Sequence, residues 1–477
     1  MQYINSRNAN EIVDSKTAII NGLAKNGGLY VPQEINKIDD IYKLKDLDYK
    51  QLASNIISIF FSELDIKDCV EKAYGDNFDT IEITPLKKVN DDYFLELYHG
   101  PTCAFKDVAL QFLPHVLTKA NNDKKPIVIL SATSGDTGKA ALEGFKDVDN
   151  TRICVLYPYK MVSIVQERQM STTGGTNTNV IAVKGNFDDC QRMVKEILEA
   201  NKLEDVHLTS ANSINIARLI PQVVYYFKAY FDLLNKQEIE KDEAVDYYVP
   251  TGNFGDILAG YIAKQLGLPV GKLVCASNKN NVLTDFLNNG IYKADRPFYN
   301  TMEPSIDILV SSNLERLLYL KSKDDKLVRE LMDSLKTNKE YKISYELVSS
   351  IKEDFIGVDA KENEVKQVIK EYYDKYHYLV DPHSAVALVA SKKIKSTNKK
   401  VILSTASPFK FSKDVYMCLT NKEINDDLNA IETLENYTNL KAPDSLSSLK
   451  NKEVRFKEVI DKQDKEYLLK ILGGHND

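Results

Sequence analysis

From about Lys125 the chain alternates short apolar runs with amphipathic stretches, and no other feature constrains its fold as tightly. "KPIVIL" (Lys125–Leu130) precedes the helical "TGKAALEGF". "TRICVLY" and "NVIAV" follow as strands, then a helix near Asp189–Ala200. "VDYYVP", "ILAGYIAKQLG", "GKLVCAS" and "NVLTDFLNNG" continue the series. Strand–loop–helix units in series imply an α/β chain with a mostly parallel sheet and helices on its faces. Ligands of such sheets sit at the carboxyl ends of the strands. The pattern fades at both ends and in one internal region. The first ~80 residues read as short helices plus the turn "NGGLYVP", with boundaries soft by several residues. From about Ile291 to Tyr376 charge-rich helices such as "SKDDKLVRELMDSLK" suggest an inserted lobe. The alternation returns with "HSAVALVASKKI" and "KKVILSTASP".

Charge narrows the partners. The 62 Lys and Arg against 69 Asp and Glu leave a net charge of −7. No basic stripe argues for nucleic acid, and no long apolar run argues for a membrane. An anionic substrate must therefore meet local positive groups. Six widely spaced cysteines without a CxxC pair fit free thiols in a reducing cytoplasm. The start "MQYINSRNAN" shows no secretory pattern. The six histidines include no HExxH and no His–Cys cluster, so no metal site is expected. There is no GxSxG elbow for a serine triad.

Four stretches have the chemistry of a site. In "YHGPTCAFKDVALQFL" Lys106 stands before an amphipathic helix, with Asp107 as a plausible N-cap. Burial and a helix start both lower an amine's pKa, which suits Schiff-base chemistry. A solvent-facing lysine beside a cap is the commoner occupant of such a place. "LSATSGDTGKAAL" (Leu130–Leu142) is a strand, a loop of small residues and a helix start, a geometry that presents N–H groups and hydroxyls to an anion. Thr133 and Ala140 stand where a P-loop needs Gly and Ser/Thr, so no NTPase is expected. "VPTGNFGDILAGY" (Val249–Tyr261) repeats this layout with two glycines, and Asp256 places one acid beside it. Its near-copy "VKGNFDDCQ" reads as a capped structural turn because Asp188 and Asp189 crowd the helix start. In "VILSTASPFKF", Ser404 and Thr405 end a late strand at the site edge, where a hydroxyl can meet a heteroaromatic nitrogen.

In this order, "NGGLYVP", "YHGPTCAFKD", "SATSGDTG", "NSINIAR", "TGNFGD" and "STASPFKF" resemble the characteristic stretches of the threonine synthase family, from about Gly22 to about Lys413. The family has the fold type II, tryptophan-synthase-β-like architecture of pyridoxal-phosphate enzymes. The resemblance implies an N-terminal segment over 1–85, a smaller α/β domain over 86–230, and a larger one over 231–477 with the helical insertion at about 291–376. It implies that Lys106 holds pyridoxal phosphate as a Schiff base. Gly252, Asn253, Phe254, Gly255 and Asp256 surround the cofactor phosphate. Thr405 faces the pyridine nitrogen. Asp136 lies near the ring hydroxyl, where relatives often carry Asn. Thr133, Ser134 and Thr137 bind the substrate carboxylate. Lys160, Ser213, Asn215 and Arg218 meet the substrate phosphate. The implied reaction turns O-phospho-L-homoserine and water into L-threonine and phosphate. A related phospho-lyase releasing 2-oxobutanoate and ammonia, and a non-catalytic relative, are the alternatives. Monomer and homodimer both stay open. Ser407 stands where the family usually has His, and Phe409-Lys410 where it has Ala-Lys.

Overall fold

The computed structural model describes residues 1–133, 135–200, 203 and 205–473. Two parallel-rich sheets organise it. A five-stranded parallel sheet runs in the order Val459–Asp461, Thr178–Lys184, Thr151–Pro158, Ile127–Ala132, His207–Thr209. A six-stranded sheet runs Phe355–Asp359, Val270–Ser277, Val245–Pro250, Lys399–Ser404, Asp92–Glu96, Leu86–Val89, parallel except for its last pair. The central strands Ile127–Ala132 and Val245–Pro250 are buried at every residue. That is why they read as unbroken apolar runs: helices cover both faces of a parallel sheet. A three-stranded antiparallel sheet of Gln2–Asn5, Asn8–Asp14 and Tyr30–Pro32 forms the N-terminal segment.

The sheets do not follow the expected domain boundaries cleanly. Leu86–Val89 and Asp92–Glu96 pair into the six-stranded sheet, and Val459–Asp461 closes the edge of the five-stranded one. The stretch 291–376 is not one lobe either. Phe355–Asp359 is an edge strand of the six-stranded sheet, and helix Glu362–Tyr376 packs with the helix Pro382–Lys393. Only the part between helix Val282–Asn289 and strand Phe355–Asp359 is an excursion, tied at its base by the antiparallel pair Ile291–Lys293 and Glu340–Lys342. Charge-rich helices masked the return to the sheet because a five-residue edge strand has too little alternation to stand out. The excursion docks on the N-terminal segment through Glu315, which accepts from Ser6 Oγ at 2.5 Å and from Arg7 at 2.7 and 2.8 Å.

Candidate active site

The helix after Lys106 is shorter than its periodicity predicts. Lys106–Leu110 and Leu113–Ala120 are separate helices. Pro114 explains the break, since it has no N–H to donate to the Leu110 carbonyl. That carbonyl is instead approached by helix Asp136–Phe145, where a Cβ on Gly144 would lie 2.0 Å from it. Asp107 is not the N-cap. Its carboxylate accepts from Thr102 N at 2.8 Å and Thr102 Oγ1 at 2.7 Å, closing the Gly-Pro-Thr turn that precedes the lysine.

The turn is stitched to the end of strand Lys399–Ser404. Phe105 N donates to Thr405 O at 2.8 Å, Ser407 N donates to Cys103 O at 3.1 Å, and Ala104 bridges Ala406. Lys106 and Thr405, 299 positions apart in sequence by their numbers, are thereby neighbours at the carboxyl edge of one sheet. Thr405 is buried, and its N–H donates to Ser384 Oγ at 3.0 Å. Lys106 is half enclosed by the site walls, with Nζ 4.7 Å from the Phe105 ring centroid and 3.6 Å from Asp136 Oδ2. Burial lowers its pKa, Asp136 opposes that shift, and the charges of Lys410 and Arg218 reinforce it.

Asp136 opens helix Asp136–Phe145 and is buried. Its Oδ1 accepts from Gln166 Nε2 at 3.0 Å and lies 3.0 Å from Lys410 Nζ, and its Oδ2 accepts from Ser305 Oγ at 2.9 Å. Burial favours the neutral acid, but Lys410 and Lys106 overcome it and hold the carboxyl well below the usual range. Gly135, at φ 149°, leaves room for Gln166: a Cβ there would lie 2.3 Å from its Cδ. Thr133 Oγ1 accepts from Gly135 N at 2.9 Å and Gly138 N at 3.0 Å, so its hydroxyl shapes the loop and keeps only its proton to donate outward. Thr137 lies in the first turn of the helix, half-buried. Ser134 lies outside the described residues.

The Gly-Asn-Phe-Gly loop leads into helix Gly255–Gln265 through Phe254, which is left-handed at φ 62°. Gly252 lies under the excursion, where a Cβ would approach Ser305 O to 3.0 Å and Ile306 Cα to 3.3 Å. Ser311 Oγ donates to Gly252 O at 2.8 Å, and Asn313 N and Nδ2 donate to Asn253 O at 3.1 and 3.0 Å. Asn253 itself is exposed. Asp256 is turned away from the loop mouth: its Oδ1 accepts from Tyr225 at 2.6 Å and Tyr226 at 3.0 Å, and burial pushes it up to about 6 against those donations. The near-copy at 183–191 is a reciprocal cap, with Asn186 N donating to Asp189 Oδ2 at 3.0 Å and Asp189 N to Asn186 Oδ1 at 2.9 Å.

The remaining expected residues separate. Arg218 is buried, and its Nη1 donates to Ala211 O at 2.5 Å while its Nε has no partner. Burial pushes its pKa down to about 10, with no carboxylate restoring it among the described residues. Asn215 caps helix Ile216–Asn235: its Oδ1 accepts from Ala217 N and its Nδ2 donates to Ile19 O, both at 2.9 Å. Ser213 is half-buried, its carbonyl taking Asn313 Nδ2 at 3.3 Å. Lys160 is exposed, in a turn with φ 60° and its Nζ 5.2 Å from the Tyr159 ring centroid. Sequence reasoning missed Lys410, Ser305, Gln166 and Ser384. Lys410 was legible as the one charge in "STASPFKF"; Ser305 has no local signal, because only the excursion's path brings it to Asp136.

These residues suit pyridoxal phosphate. A buried amine with a lowered pKa, a glycine-flanked helix N-terminus under which a side chain would clash, and a buried guanidinium whose Nε has no partner among the described residues ask for an aldehyde bearing anionic groups.

Comparison with known proteins agrees. Residues 79–406 match the model "Pyridoxal-phosphate dependent enzyme", and residues 2–74 match "Threonine synthase N terminus". The chain is 38% identical over 450 residues to the threonine synthase of Saccharomyces cerevisiae, covering 86% of this chain and 87% of that protein. It is 38% identical over 430 residues to that of Pseudomonas aeruginosa, covering 87% and 90%. A solved structure of pyridoxal-phosphate-bound threonine synthase from Brucella melitensis superposes with a TM-score of 0.90 at 37% identity, covering 100% of this chain and 99% of that one. The fold type II expectation therefore holds, pyridoxal phosphate is the cofactor, and the chain belongs to the threonine synthases, a family of pyridoxal-phosphate-dependent lyases.

Proposed function

We propose that this enzyme converts O-phospho-L-homoserine and water to L-threonine and phosphate. The observation that supports this reading best is Arg218, a buried cation without a carboxylate partner among the described residues, close enough to Lys106 for its charge to act on the amine. A buried charge left unpaired is costly unless a ligand completes it, and a phosphate ester does so.

Pyridoxal phosphate, when bound, supplies an electron sink for charge at the substrate Cα. The chain's residues do the rest. Lys106 would hold the cofactor through its amine; once freed, that amine would take protons from Cα and Cβ of the substrate and return them at Cγ and Cα. Its burial favours the neutral form that such a base needs. Thr405 would offer a neutral hydroxyl to the ring nitrogen, a partner that leaves that nitrogen uncharged and so suits elimination rather than transamination. The backbone of Gly252–Gly255 and the N-terminus of helix Gly255–Gln265 would hold the cofactor phosphate, with the Asp256 carboxylate kept aside by Tyr225 and Tyr226. Thr133 and Thr137 would hold the substrate carboxylate at the start of helix Asp136–Phe145, and the sequence offers Ser134 as a third hydroxyl. Arg218, with Ser213 and the exposed Lys160, would take the phosphate that leaves from Cγ; a proton replaces it there, and the hydroxyl of water replaces the hydrogen lost from Cβ. Asn215, both ends of its amide engaged, serves as the cap that sets the helix carrying Arg218.

We place the reaction in the cytoplasm. All six cysteines are free and buried, as a reducing compartment allows, and no helix among the described residues is long and apolar enough to cross a membrane. The test is to supply pyridoxal phosphate and O-phospho-L-homoserine and identify products. Threonine and phosphate in equal amounts are expected; 2-oxobutanoate with ammonia would reassign the reaction. Lys106→Ala should lose both turnover and the visible absorbance of the bound cofactor, and ordinary turnover in that variant would remove Lys106 from its role.

A further inference from the structure

One carboxylate in this site serves two lysines. Asp136 faces Lys410 Nζ at 3.0 Å through Oδ1 and Lys106 Nζ at 3.6 Å through Oδ2. Lys410 has a fully buried side chain, and its one other partner among the described residues is Thr102 O at 2.9 Å. Thr102 in turn holds Asp107, the residue after Lys106, so Lys410 is fixed to the same turn from the other side. A lysine is rarely buried to this degree unless paired.

The arrangement solves a problem that Asp136 creates. A buried carboxylate with Lys106 as its sole cation would hold that amine protonated, because losing the proton would strand an uncompensated charge. A protonated amine cannot attack an aldehyde. Lys410 compensates Asp136 from the opposite oxygen, and Gln166 and Ser305 complete the carboxylate's hydrogen bonds. Lys106 can then release its proton without leaving Asp136 alone. We propose that Lys410 is a positioning residue that acts through Asp136: it is the standing counter-ion that frees Lys106 to be the neutral amine of the reaction. The part of this that concerns the reaction rests on the cofactor chemistry proposed above; the charge coupling does not.

The charged groups that act on Lys106 come from four elements: Asp136 from helix Asp136–Phe145, Lys410 from the short helix Pro408–Phe411, Arg218 from helix Ile216–Asn235 and Asp256 from helix Gly255–Gln265. Asp136 is the one that favours the protonated amine most directly, and Lys410 and Arg218 disfavour it. Removing Lys410 therefore has a defined sign, opposite to that of removing Asp136.

The experiment uses the full chain freed of cofactor. Acetic anhydride labels amines in their neutral form, and peptide mass spectrometry follows the rate at Lys106 across a pH series. Lys410→Met should move the labelling midpoint to higher pH, slowing labelling near pH 8 by about tenfold. Asp136→Asn should move it to lower pH. The double variant Asp136→Asn/Lys410→Met should return close to the wild-type rate, because contacting charges couple. A folded Lys410→Met protein that labels like wild type overturns the proposal, and so does a double variant as slow as Lys410→Met. If Lys410→Met fails to fold, a folded double variant upholds the charge pairing, and a double variant that also fails to fold overturns it. Failure of the functional reading would show elsewhere, as wild-type protein that makes no threonine while its labelling still follows Lys410.

Discussion

Replacing Arg218 by methionine should make the free protein more stable and the enzyme nearly inactive. The two effects have one cause. Burial moves the guanidinium from 12.5 to about 10, a shift of roughly 2.5 pH units, so burial disfavours the charged form by about 3 kcal/mol. The substitution also loses the charge-assisted bond from Nη1 to Ala211 O, worth about 2 kcal/mol net. Methionine keeps most of the aliphatic stem, so packing changes little. The balance is a gain of about 1 kcal/mol in the cofactor-free protein. With an unfolding entropy near 2.1 cal/mol/K per residue, that raises the melting temperature by about 1 °C. The assay is a melting curve of cofactor-free wild type and variant, each with and without inorganic phosphate. Phosphate should stabilise the wild type by mass action and leave the variant unmoved. Substrate turnover should fall by at least about a hundredfold in kcat/KM, the order expected when a buried charge partner of the transition state is removed. An Arg218→Met protein that melts several degrees lower and still turns over would refute the reasoning, since Arg218 would then be a structural residue whose charge the fold needs.

Two further outcomes follow from the geometry. His99 lies 2.5 Å from Asp79 and 3.1 Å from Glu96; burial works against its charge, but the two carboxylates prevail and push it up to about 9. Stability from this group is present in full below the unfolded value near 6.5 and is lost as pH rises through 9; after solvent screening the loss is about 2 kcal/mol. Urea unfolding midpoints between pH 6 and 10 should show that fall in wild type and a flatter profile in His99→Gln; equal slopes would exclude the triad as its source. Gly252→Ala should press a methyl against Ser305 O and Ile306 Cα, both backbone atoms, and displace the hydroxyl that holds Asp136. Cofactor affinity measured by titration should drop on the order of tenfold, as small misplacements in a positioned site do, with far-ultraviolet circular dichroism unchanged. Wild-type affinity would mean that the excursion yields freely.

Much of this molecule is written locally. Ile127–Ala132 and Val245–Pro250 are strands because a parallel sheet buries both faces, and an unbroken apolar run is the direct trace of that burial. The loops after them read as anion sites because small residues at a helix start expose N–H groups, a property of a few consecutive residues. Lys106, Gly252 and Thr405 could each be named from such stretches, whereas Asp136 is named only through the family resemblance. Other features depended on contacts that no local pattern encodes. Asp107 looks like a cap until Thr102 folds back on it. Asn215 reads locally as a ligand-binding residue, and only the fold shows that its amide also caps helix Ile216–Asn235 and donates to the Ile19 carbonyl. The edge strand Phe355–Asp359 was hidden among charged helices because its identity comes from pairing with Val270–Ser277, not from its own alternation.

The residue types at each loop, and so the kind of ligand they suit, were determined by the sequence alone. Tertiary structure decided which charges meet. Asp136 and Lys410 are 274 positions apart by their numbers, and Ser305, 169 positions from Asp136, reaches it from the excursion. The physical reason is range. Backbone geometry and burial periodicity act over a few residues and leave a readable pattern. The Coulomb energy that sets the state of Lys106 depends on distances of about 3 to 4 Å in a poorly solvated interior, and those distances exist only once the two sheets have packed.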